Sequence, residues 1–471
     1  MLSRLAQQHV DAVVAFHERH GPELNWFSAG YRKILGRIYR VWVPPQASVL
    51  EIGCGSGALL AELPNRDLVG VDPSPAMLAA AQARLPHARF QRSTGEELAL
   101  DRTFDVVIVS DTVHEAADIQ QLFQALQRVC TPGSRLVLNF FSSLWRPLLA
   151  AASKLGLRRE QPPLSWLSPN DIRNLLELAD WELIRMEPKI LLPLRLGGLE
   201  RWINRSLAPL LPWFCLTRFA VARPRLRPQP GPRPSVSVVV PARNEAGNLE
   251  SLLDRLPDFQ TETELILVEG GSSDDTWKVI EQLAARPGPV AVRAIRQSGR
   301  GKGNAVREGF AAARGELLMT LDADLSVPPE ELVKFYDALA CGHAELANGV
   351  RLVSPMEPDA MRFLNMGANK FFSMAFTWLL GQPIKDTLCG TKALSRCDYR
   401  SIAANRAAFG DFDPFGDFDL LFGAARMNLK IADLPIRYRE RRYGRSNIRR
   451  WRHGILLLRM LMFAARKIKF V

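Results

Sequence analysis

Residues 318–332 read LMTLDADLSVPPEEL, an apolar run that delivers Asp322 and Asp324, two carboxylates one residue apart. The proline pair that follows, with two acids behind it, predicts the first turn of a new helix. Carboxylates at i and i+2 at the end of a strand can both reach one hard divalent cation, and a diphosphate supplies further oxygen ligands. Because open α/β sheets bind ligands at the carboxyl ends of their strands, the stretch predicts such a sheet with a metal site at that edge.

Three other motifs in the same half combine a strand, a polar or glycine-rich turn and a helix. They are VSVVVPARNEAGNLESLL, with Glu245 in its turn, ELILVEGGSSDDTW, whose strand ends at Glu269 ahead of Gly271, and GRGKGNAVREGF, with Lys302 between glycines. The serines of the second motif are suited to cap a helix. In the third, a cation and the backbone amides of a helix start can face a phosphate group.

Together these ordered motifs resemble the family-two glycosyltransferases of the GT-A fold, and among them dolichol-phosphate mannose synthase and related polyprenyl-phosphate glycosyltransferases. The resemblance covers about residues 235–460. It implies a nucleotide-diphosphate sugar donor, of the GDP-mannose or UDP-glucose type, and Mg²⁺ or Mn²⁺ as cofactor. The implied nucleotide-sugar site consists of Pro241, Glu245, Glu269, Gly271, Lys302 and Asp322, and the implied metal ligands are Asp322, Asp324 and Ser326. Relatives usually read VDDGS where this chain has VEGGS, so guanine and uracil both stay open as the base.

The segments DTLCGTKAL and FGDFDLLFGAARMNLKIADLPIRYRERRYGRS resemble the acceptor side of the same family. The resemblance places catalytic positions at Asp324, Asp386, Asp419, Arg441 and Arg442, of which the two arginines are suited to hold an acceptor phosphate. A polyprenyl phosphate is already an anionic nucleophile and needs positioning more than a base. The alternative acceptor is a hydroxyl of a saccharide or small molecule, which needs a general base, with Asp386 and Asp419 as the candidates.

The first half carries a different ligand motif, VLEIGCGSG, which follows a strand and precedes a helix. It contains Glu51, Gly53, Gly55 and Gly57, and glycines at this place let the backbone turn tightly and approach a ligand closely. About twenty residues further on, the strand LVGVD ends in Asp72, where an acid can accept hydrogen bonds from ribose hydroxyls. The pattern predicts a cradle for a cofactor that contains a nucleoside.

This pattern resembles the class I S-adenosylmethionine-dependent methyltransferases over about residues 30–140. The resemblance implies that the glycine turn holds the amino-acid end of S-adenosylmethionine and that Asp72 binds its ribose. It also implies that Met77 lies near the adenine and that Ser110 and His114 face the methyl group. The alternative is that this half binds the cofactor only to regulate the other half.

Apolar strand-like runs alternate with helical patterns in both halves, which predicts two doubly wound α/β domains with parallel sheets. The stretch RPRLRPQPGPRPS, residues 223–235, is too rich in proline and arginine to pack and predicts an extended linker. We therefore expect a methyltransferase domain over residues 1–222, with a helical cap formed by residues 141–222. A glycosyltransferase domain is expected over residues 236–450, followed by an amphipathic helix over residues 451–471.

The formal net charge of +12 is concentrated at the end of the chain. Residues 437–471 contain 12 Lys or Arg and one acid, so the remainder is nearly neutral, which argues against nucleic acid and for a local anionic surface. Arg445, Arg452, Arg459 and Arg466 recur every seven residues among apolar side chains, as in a helix that lies in a membrane interface. The apolar segment 362–381 is a second candidate for membrane contact or for core burial. We expect a cytoplasmic protein, peripheral on the inner face of a membrane.

Overall fold

The computed structural model describes residues 4–22, 26–154, 165–225, 231–351, 363–406, 418–438 and 450–470, and the statements that follow refer to these residues. The predicted site residues Arg441 and Arg442 lie outside them. The chain divides into unit 1, which comprises Met1–Arg225 and Lys469–Val471, and unit 2, which comprises Leu226–Ile468. Each unit contains one seven-stranded mixed sheet with helices, so the prediction of two α/β domains is confirmed.

The elements of unit 1 begin with two helices and then alternate between strands and helices. Its strands are β1 (Val49–Ile52), β2 (Leu68–Asp72), β3 (Arg89–Arg92), β4 (Phe104–Ser110), β5 (Cys130–Phe141), β6 (Trp181–Ile190) and β7 (Thr217–Pro224). Its helices are α1 (Arg4–His20), α2 (Trp26–Trp42), α3 (Pro75–Arg84), α4 (Ile119–Leu126), α5 (Arg146–Lys154), α6 (Pro169–Leu178) and α7 (Leu199–Ser206).

The sheet of unit 1 has the strand order β3-β2-β1-β4-β5-β7-β6, in which β7 runs antiparallel to both of its neighbours. Successive side chains of a strand enter opposite faces: Val49 packs into one buried cluster, while Leu50 and Ile52 pack into the other. Apolar side chains therefore cover the sheet on both faces, as in a doubly wound domain. Among the described elements, the expected parallel pairing holds for the five strands β1 to β5 and fails at β6 and β7.

The predicted helical cap over residues 141–222 is wrong in part. Besides α5, α6 and α7, this region contains β6 and β7, which complete the sheet. Strand β7 also runs to Pro224, so the first two residues of the predicted linker belong to the sheet. Arg223 pairs with Glu182 of β6, and Pro224 pairs with Trp181. The arginine is accommodated because Arg223 is buried and forms an ion pair with Glu182 at 2.6 Å.

Unit 2 has a similar alternation of strands and helices. Its strands are β8 (Val236–Ala242), β9 (Thr263–Glu269), β10 (Ala291–Arg296), β11 (Leu317–Thr320), β12 (Leu346–Val350), β13 (Lys392–Ser395) and β14 (Ile431–Pro435). Its helices are α8 (Ala246–Leu249), α9 (Leu252–Arg255), α10 (Thr276–Ala285), α11 (Lys302–Ala312), α12 (Leu332–Ala340), α13 (Phe363–Leu380), α14 (Arg396–Ala404), α15 (Phe418–Arg426) and α16 (Arg450–Ala464).

The sheet of unit 2 has the strand order β10-β9-β8-β11-β13-β12-β14, with β13 antiparallel to β11 and β12. The expectation of a parallel sheet therefore fails at β13, a four-residue strand held between two partners. Strands β8, β9, β10 and β11 are mutually parallel, so their carboxyl ends lie at one edge of the sheet. This edge is where the motifs with Glu245, Glu269 and Asp322 leave the sheet.

Candidate active sites

Lysine 302 and Asp322 form the centre of the candidate site in unit 2. Lys302 is the first residue of α11 and Asp322 follows β11, and the Lys302 Nζ lies 2.6 Å from a carboxylate oxygen of Asp322. Gly390 closes over this pair, because a Cβ at that position would clash with the Lys302 Nζ and with both carboxylate oxygens of Asp322. Residues from three separate motifs therefore meet at one point.

Asp324 lies in a tight turn directly after this ion pair. Its Oδ1 accepts hydrogen bonds from the backbone N–H and the hydroxyl of Ser326, at 3.1 and 2.8 Å. The intervening Leu325 has a φ of 49°, a left-handed conformation that is uncommon for an apolar side chain and often marks a functional turn. The hydroxyl predicted as a third metal ligand therefore holds Asp324 in place.

The donor set at this turn fits a hard divalent cation that also needs ligands from its substrate. In the described part of the chain, there is no cluster of three or more His, Cys, Asp or Glu side chains that could hold a metal by itself. Asp322 and Asp324 supply two hard carboxylate oxygens, and Mg²⁺ and Mn²⁺ prefer such ligands together with phosphate oxygens. The chemistry of the site thus matches a metal that arrives with a diphosphate.

Two of the predicted nucleotide residues, Glu245 and Glu269, lie in the loop after β8 and at the end of β9. Glu245 is buried, and its Oε2 accepts a hydrogen bond from Asn248 at 2.6 Å. Glu269 is also buried and accepts the backbone N–H of Ser272. Asn244 joins the loops, because its Oδ1 accepts the backbone N–H of Ser273 at 2.8 Å. The arrangement is a continuous polar rim beside the open edge of the sheet.

Two positions on this rim are shaped by the absence of a side chain. Gly271 has a φ of 72°, and a Cβ there would meet no atom within 4 Å, so its backbone faces open space. Pro241 lies in β8 opposite Val268 and precedes the loop with Glu245.

Gln297, which follows β10, was not predicted from the sequence as a site residue. Its Oε1 lies 3.0 Å from the position that a Cβ on Gly270 would occupy. The signal was present, since Gln297 is the polar residue at the end of the neighbouring strand.

Asp386 does not have the environment of a general base. Arg351 donates to both carboxylate oxygens, at 2.6 and 2.8 Å, and the backbone N–H of Leu388 donates to Oδ1 at 3.0 Å. Burial alone would raise the pKa of Asp386, but the charge and hydrogen bonds of Arg351 outweigh it and lower the pKa. A carboxylate with a lowered pKa is a weaker base, so this ion pair disfavours proton abstraction by Asp386, and its catalytic role stays a prediction.

Asp419 is in a similar position on α15. Its Oδ2 accepts a hydrogen bond from Arg307 at 2.5 Å and lies 3.3 Å from the Arg406 Nε. The side chain is largely buried, so the two guanidinium groups balance its charge. These ion pairs disfavour Asp419 as a general base, and its catalytic role stays a prediction.

The glycine turn of unit 1 has the geometry of a ligand cradle. Gly53, Gly55 and Gly57 have φ values of 68°, 51° and 68°, a region that favours glycine. A Cβ on Gly53 would clash with the side chain of Thr112, whereas a Cβ on Gly55 would meet nothing within 4 Å. The N–H of Gly55 donates to Asp72 Oδ2 at 2.8 Å, which joins the turn to the end of β2.

Glu51 is a buried acid with unused hydrogen-bonding capacity. Its Oε2 has no hydrogen-bond partner among the described residues, and its side chain is 1 % exposed. Burial, together with the charges of Asp72 and Asp111, raises the pKa of Glu51 to about 8, although Arg32 opposes the shift. An orphaned carboxylate beside an open glycine turn suits the ammonium end of an amino-acid cofactor, so the residues present fit S-adenosylmethionine.

The other predicted residues of unit 1 divide into two groups. Met77 lies in the first turn of α3, where its N–H donates to Ser74, and Ser110 lies at the end of β4, where Arg32 donates to its hydroxyl at 3.3 Å. Both follow strands adjacent to the glycine turn, and their contact with a cofactor stays a prediction. His114 differs, because its Nε2 accepts the N–H of Phe141 and its Nδ1 therefore donates to the Ser165 carbonyl, both at 2.7 Å. His114 is thus a structural residue and its expected position at the methyl group is not supported.

Sequence analysis also missed Asp111, the residue after β4. It has a φ of 60° and accepts hydrogen bonds from the Tyr31 hydroxyl at 3.2 Å and the Asn139 amide at 2.5 Å. Arg32 lies 3.6 Å away, and burial raises the pKa of Asp111 despite that charge. A strained, buried acid at the carboxyl edge of a sheet is a candidate functional residue.

Family comparisons identify both halves. The model for glycosyl transferase family 2 matches residues 237–401, and a methyltransferase domain model matches residues 50–138. The chain therefore carries a methyltransferase domain in its N-terminal half and a family 2 glycosyltransferase domain in its C-terminal half.

Three similar proteins illustrate the range of relatives. The undecaprenyl-phosphate 4-deoxy-4-formamido-L-arabinose transferase of Pseudomonas fluorescens is 30% identical over 241 residues, covering 50% of this chain and 64% of the relative. The enzyme of the same name from Edwardsiella ictaluri is 28% identical over 241 residues, covering 48% and 66%. This chain thus spans just under two thirds of the length of these curated relatives. A solved S-adenosylmethionine-dependent methyltransferase from Thermotoga maritima, described as a possible histamine N-methyltransferase, is 19% identical with a TM-score of 0.34, covering 46% of this chain and 98% of that one.

Proposed function

We propose that unit 2 transfers a sugar from a nucleotide-diphosphate donor to a polyprenyl phosphate and that unit 1 transfers a methyl group from S-adenosylmethionine. The observation that carries the first part is the convergence of Lys302, Asp322 and Gly390 directly beside Asp324. Such a site offers a cation for a phosphate group and two hard oxygens for Mg²⁺ or Mn²⁺. A metal bound there would neutralise charge on the departing diphosphate. The names of the curated relatives support an undecaprenyl-phosphate type of acceptor.

The ion pairs of the two acceptor-side acids favour a phosphate over a hydroxyl as nucleophile. A hydroxyl acceptor needs a carboxylate that can take its proton, whereas Asp386 and Asp419 are each engaged by arginine. A phosphate acceptor is already ionised and gains from the cationic segment 437–471. Transfer to a saccharide or small-molecule hydroxyl is therefore the second candidate.

Helix α16 supports a location at an anionic membrane surface. It buries Leu457, Met460 and Ala464 on one side, while Ile455, Leu458 and Met462 on the other are 43–54 % exposed. Arg459 and Arg466 are exposed as well. In the parts of the chain that the structure describes, we find no helix long and apolar enough to cross a bilayer. We propose peripheral attachment to the cytoplasmic face, with the exposed apolar residues at the interface.

Helix α13, the segment considered for membrane contact or core burial, has both buried and exposed apolar side chains. It contacts α16, and it buries Phe372 and Phe376 while Phe371 and Met374 are 51 and 61 % exposed. The exposed face of α13 is therefore included in the proposed membrane surface.

For unit 1, the cradle assigns a role to each of three acids. Glu51 is suited to the ammonium group of the cofactor and Asp72 to its ribose, while Asp111, directly after β4, is proposed to face the acceptor near the methyl group. Because burial raises its pKa, Asp111 is the candidate to orient the acceptor or take its proton. A unit that binds S-adenosylmethionine only to regulate unit 2 would show binding without turnover of the cofactor.

The test of the sugar transfer uses the full chain, Mn²⁺ and radiolabelled nucleotide sugars of the GDP-mannose and UDP-glucose types. The expected product with polyprenyl phosphate is organic-extractable and releases the labelled sugar in mild acid. Label that instead enters only saccharide or small-molecule hydroxyls would support the second candidate. No labelled product with any polyprenyl phosphate, in the presence of metal and donor, would contradict the proposal.

A further inference from the structure

Helix α7 of unit 1 exposes two large apolar side chains and buries its acid. Its apolar residues Leu199 and Trp202 are 53 and 57 % exposed, whereas its acid, Glu200, is 2 % exposed. A helix on the surface of a soluble domain normally turns its apolar stripe inward and its charges outward. The orientation of α7 therefore calls for a partner other than water on its outer side.

Hydrogen bonds on the inner side hold α7 in this orientation. Glu200 Oε2 accepts the backbone N–H of Gly198 at 2.9 Å, and Arg37 lies 3.9 Å from its other oxygen. Asn204 accepts the N–H of Leu192 and donates to the carbonyl of the same residue, each at 2.8 Å. Because Glu200 and Asn204 hold the inner side of the helix, Leu199 and Trp202 lie on its outer side.

The exposed apolar surface continues beyond α7 into the 3₁₀ turn Pro212–Phe214. We call the following six residues the aromatic patch: Leu199, Trp202, Leu210, Leu211, Trp213 and Phe214. Their exposed fractions range from 40 to 71 %, with Trp213 highest. The Trp145 Nε1 donates to the Phe214 carbonyl at 2.9 Å, so the exposed Leu144 and Leu148 adjoin the patch.

Within residues 191–216, which contain the aromatic patch, the charges that face solvent are all positive. Residues 191–216 contain three arginines, Arg195, Arg201 and Arg205, all exposed, and one acid, Glu200, which is buried. Tryptophan with arginine is the combination that favours the headgroup region of a bilayer, where the rings enter the interface and the cations meet anionic lipid. This charge complementarity selects an anionic membrane over an unspecified protein partner.

We propose that the aromatic patch is a membrane-docking surface of unit 1 that binds anionic bilayers by inserting Trp202, Trp213 and Phe214 at the interface. The surface is formed by residues other than those of α13 and α16, so it extends the proposed membrane attachment to the methyltransferase half. It does not depend on the sugar transfer proposed for unit 2.

The experiment measures partition of the full chain onto vesicles of phosphatidylcholine, with and without phosphatidylglycerol. Replacing Trp213→Gln and Phe214→Gln together is expected to weaken partition about tenfold, because two large apolar side chains no longer leave water. The matched control is Leu178→Gln, which changes a 55 % exposed leucine of the same unit outside the patch and is expected to have little effect. Arg201→Gln with Arg205→Gln is expected to weaken binding about fivefold per charge on anionic vesicles, and not on neutral ones.

Two controls keep these outcomes distinct from loss of folding and from failure of the proposed function. The thermal midpoint and S-adenosylmethionine affinity of each variant should equal those of the parent chain, because the substituted side chains lie on the surface. Sugar transfer to a polyprenyl phosphate dispersed in detergent tests unit 2 without any vesicle. Unchanged partition of both double variants would overturn the proposal. So would a shift in oligomeric state with unchanged partition, which would show that a second copy covers the patch.

Discussion

Both units carry acidic residues at or near the ends of their sheet strands, but these acids have different neighbours. In unit 1, burial raises the pKa of Glu51, Asp72 and Asp111, and Glu51 keeps an oxygen without a hydrogen-bond partner among the described residues. In unit 2, Asp386 is engaged by Arg351, which lowers its pKa, and Asp322 pairs with Lys302. The acids of unit 1 thus have few cationic partners, whereas those of unit 2 are paired with arginine or lysine.

This difference corresponds to the charge of the ligand that each unit is proposed to bind. S-adenosylmethionine brings an ammonium and a sulfonium, so a site with unused carboxylate capacity gains a partner when the cofactor binds. A nucleotide-diphosphate sugar brings negative charge, so lysine and a metal are needed before acids can be tolerated beside it. The predictions below test whether each site has the charge preference that its neighbours indicate.

The largest effect is expected from Asp324→Ala. Without this carboxylate the metal loses a ligand at the point where charge develops on the departing diphosphate, which costs sugar transfer on the order of a thousandfold. The matched control is Asp254→Ala, which removes a 59 % exposed acid of the same unit. Initial rates with saturating metal and donor provide the measurement, and transfer at the parental rate in Asp324→Ala would show that the metal assignment is wrong.

A smaller but still large effect is expected from Asp386→Asn. Removing one partner of a buried pair leaves the Arg351 guanidinium uncompensated, which lowers the free energy of unfolding by about 3 kcal/mol. Chemical denaturation of the full chain provides the measurement, and adding Arg351→Met should restore most of the loss. A stable Asp386→Asn variant that has lost transfer only to hydroxyl acceptors would instead identify Asp386 as a base.

The cradle of unit 1 is tested by Gly55→Ala. A methyl group fits the unliganded turn, since nothing lies within 4 Å, but it fills space that the cofactor needs, so affinity for S-adenosylmethionine is expected to fall about tenfold or more. Gly21→Ala is the matched control, because Gly21 has a φ of 69° and equally open surroundings away from the cradle. Both substitutions carry the same backbone cost of about 1 kcal/mol for an alanine at positive φ. Equal cofactor affinities of the two variants would therefore show that the glycine turn does not bind S-adenosylmethionine.

The smallest expected effect is a pH dependence of stability and of cofactor affinity that arises from Glu51. Its pKa is raised from 4.5 to about 8, so the folded chain retains a proton that the unfolded chain loses within this window. Its contribution to stability is therefore complete below about pH 4.5 and is lost as the pH rises through about 8. A cationic cofactor favours the carboxylate, so its affinity should rise over the same range by at most about tenfold per pH unit.

Calorimetry in buffers of different ionisation enthalpy measures the proton released when the cofactor binds. Glu51→Gln should abolish both the proton release and the pH dependence, whereas Glu97→Gln, at an exposed acid of the same unit, should retain them. Proton release that persists in Glu51→Gln would assign the titration to another group.

The sequence predicted those parts of the fold that repeat a local pattern. The apolar runs that precede the ligand motifs all form strands, β1 and β2 in unit 1 and β8, β9 and β11 in unit 2. Strands β6, β7 and β13 were missed. Strand β13 has four residues and lies between two partners, so pairing with the neighbouring strands defines it more than its own residues do. Strand β7 was hidden in a region rich in proline and tryptophan.

Prediction of the sites had a similar limit. Glycine turns and acids at strand ends are visible in sequence because their spacing within one motif is fixed, as for Asp322 with Asp324. The partner of an acid is not visible when it comes from a distant segment, as Arg351 does for Asp386 and Tyr31 for Asp111. The observed ion pairs disfavour Asp386 and Asp419 as bases, while their catalytic roles and the predicted membership of the donor site stay predictions.

The most direct test of the account measures two ligands on one chain. Thermal stabilisation of the full chain by S-adenosylmethionine and by UDP or GDP with Mn²⁺ is compared in the parent, Asp324→Ala and Gly55→Ala. We predict that Asp324→Ala loses only the stabilisation by nucleotide and metal, and that Gly55→Ala loses only the stabilisation by S-adenosylmethionine. Loss of both responses in either variant, or of neither response in both, would contradict two separate sites with opposite charge preference.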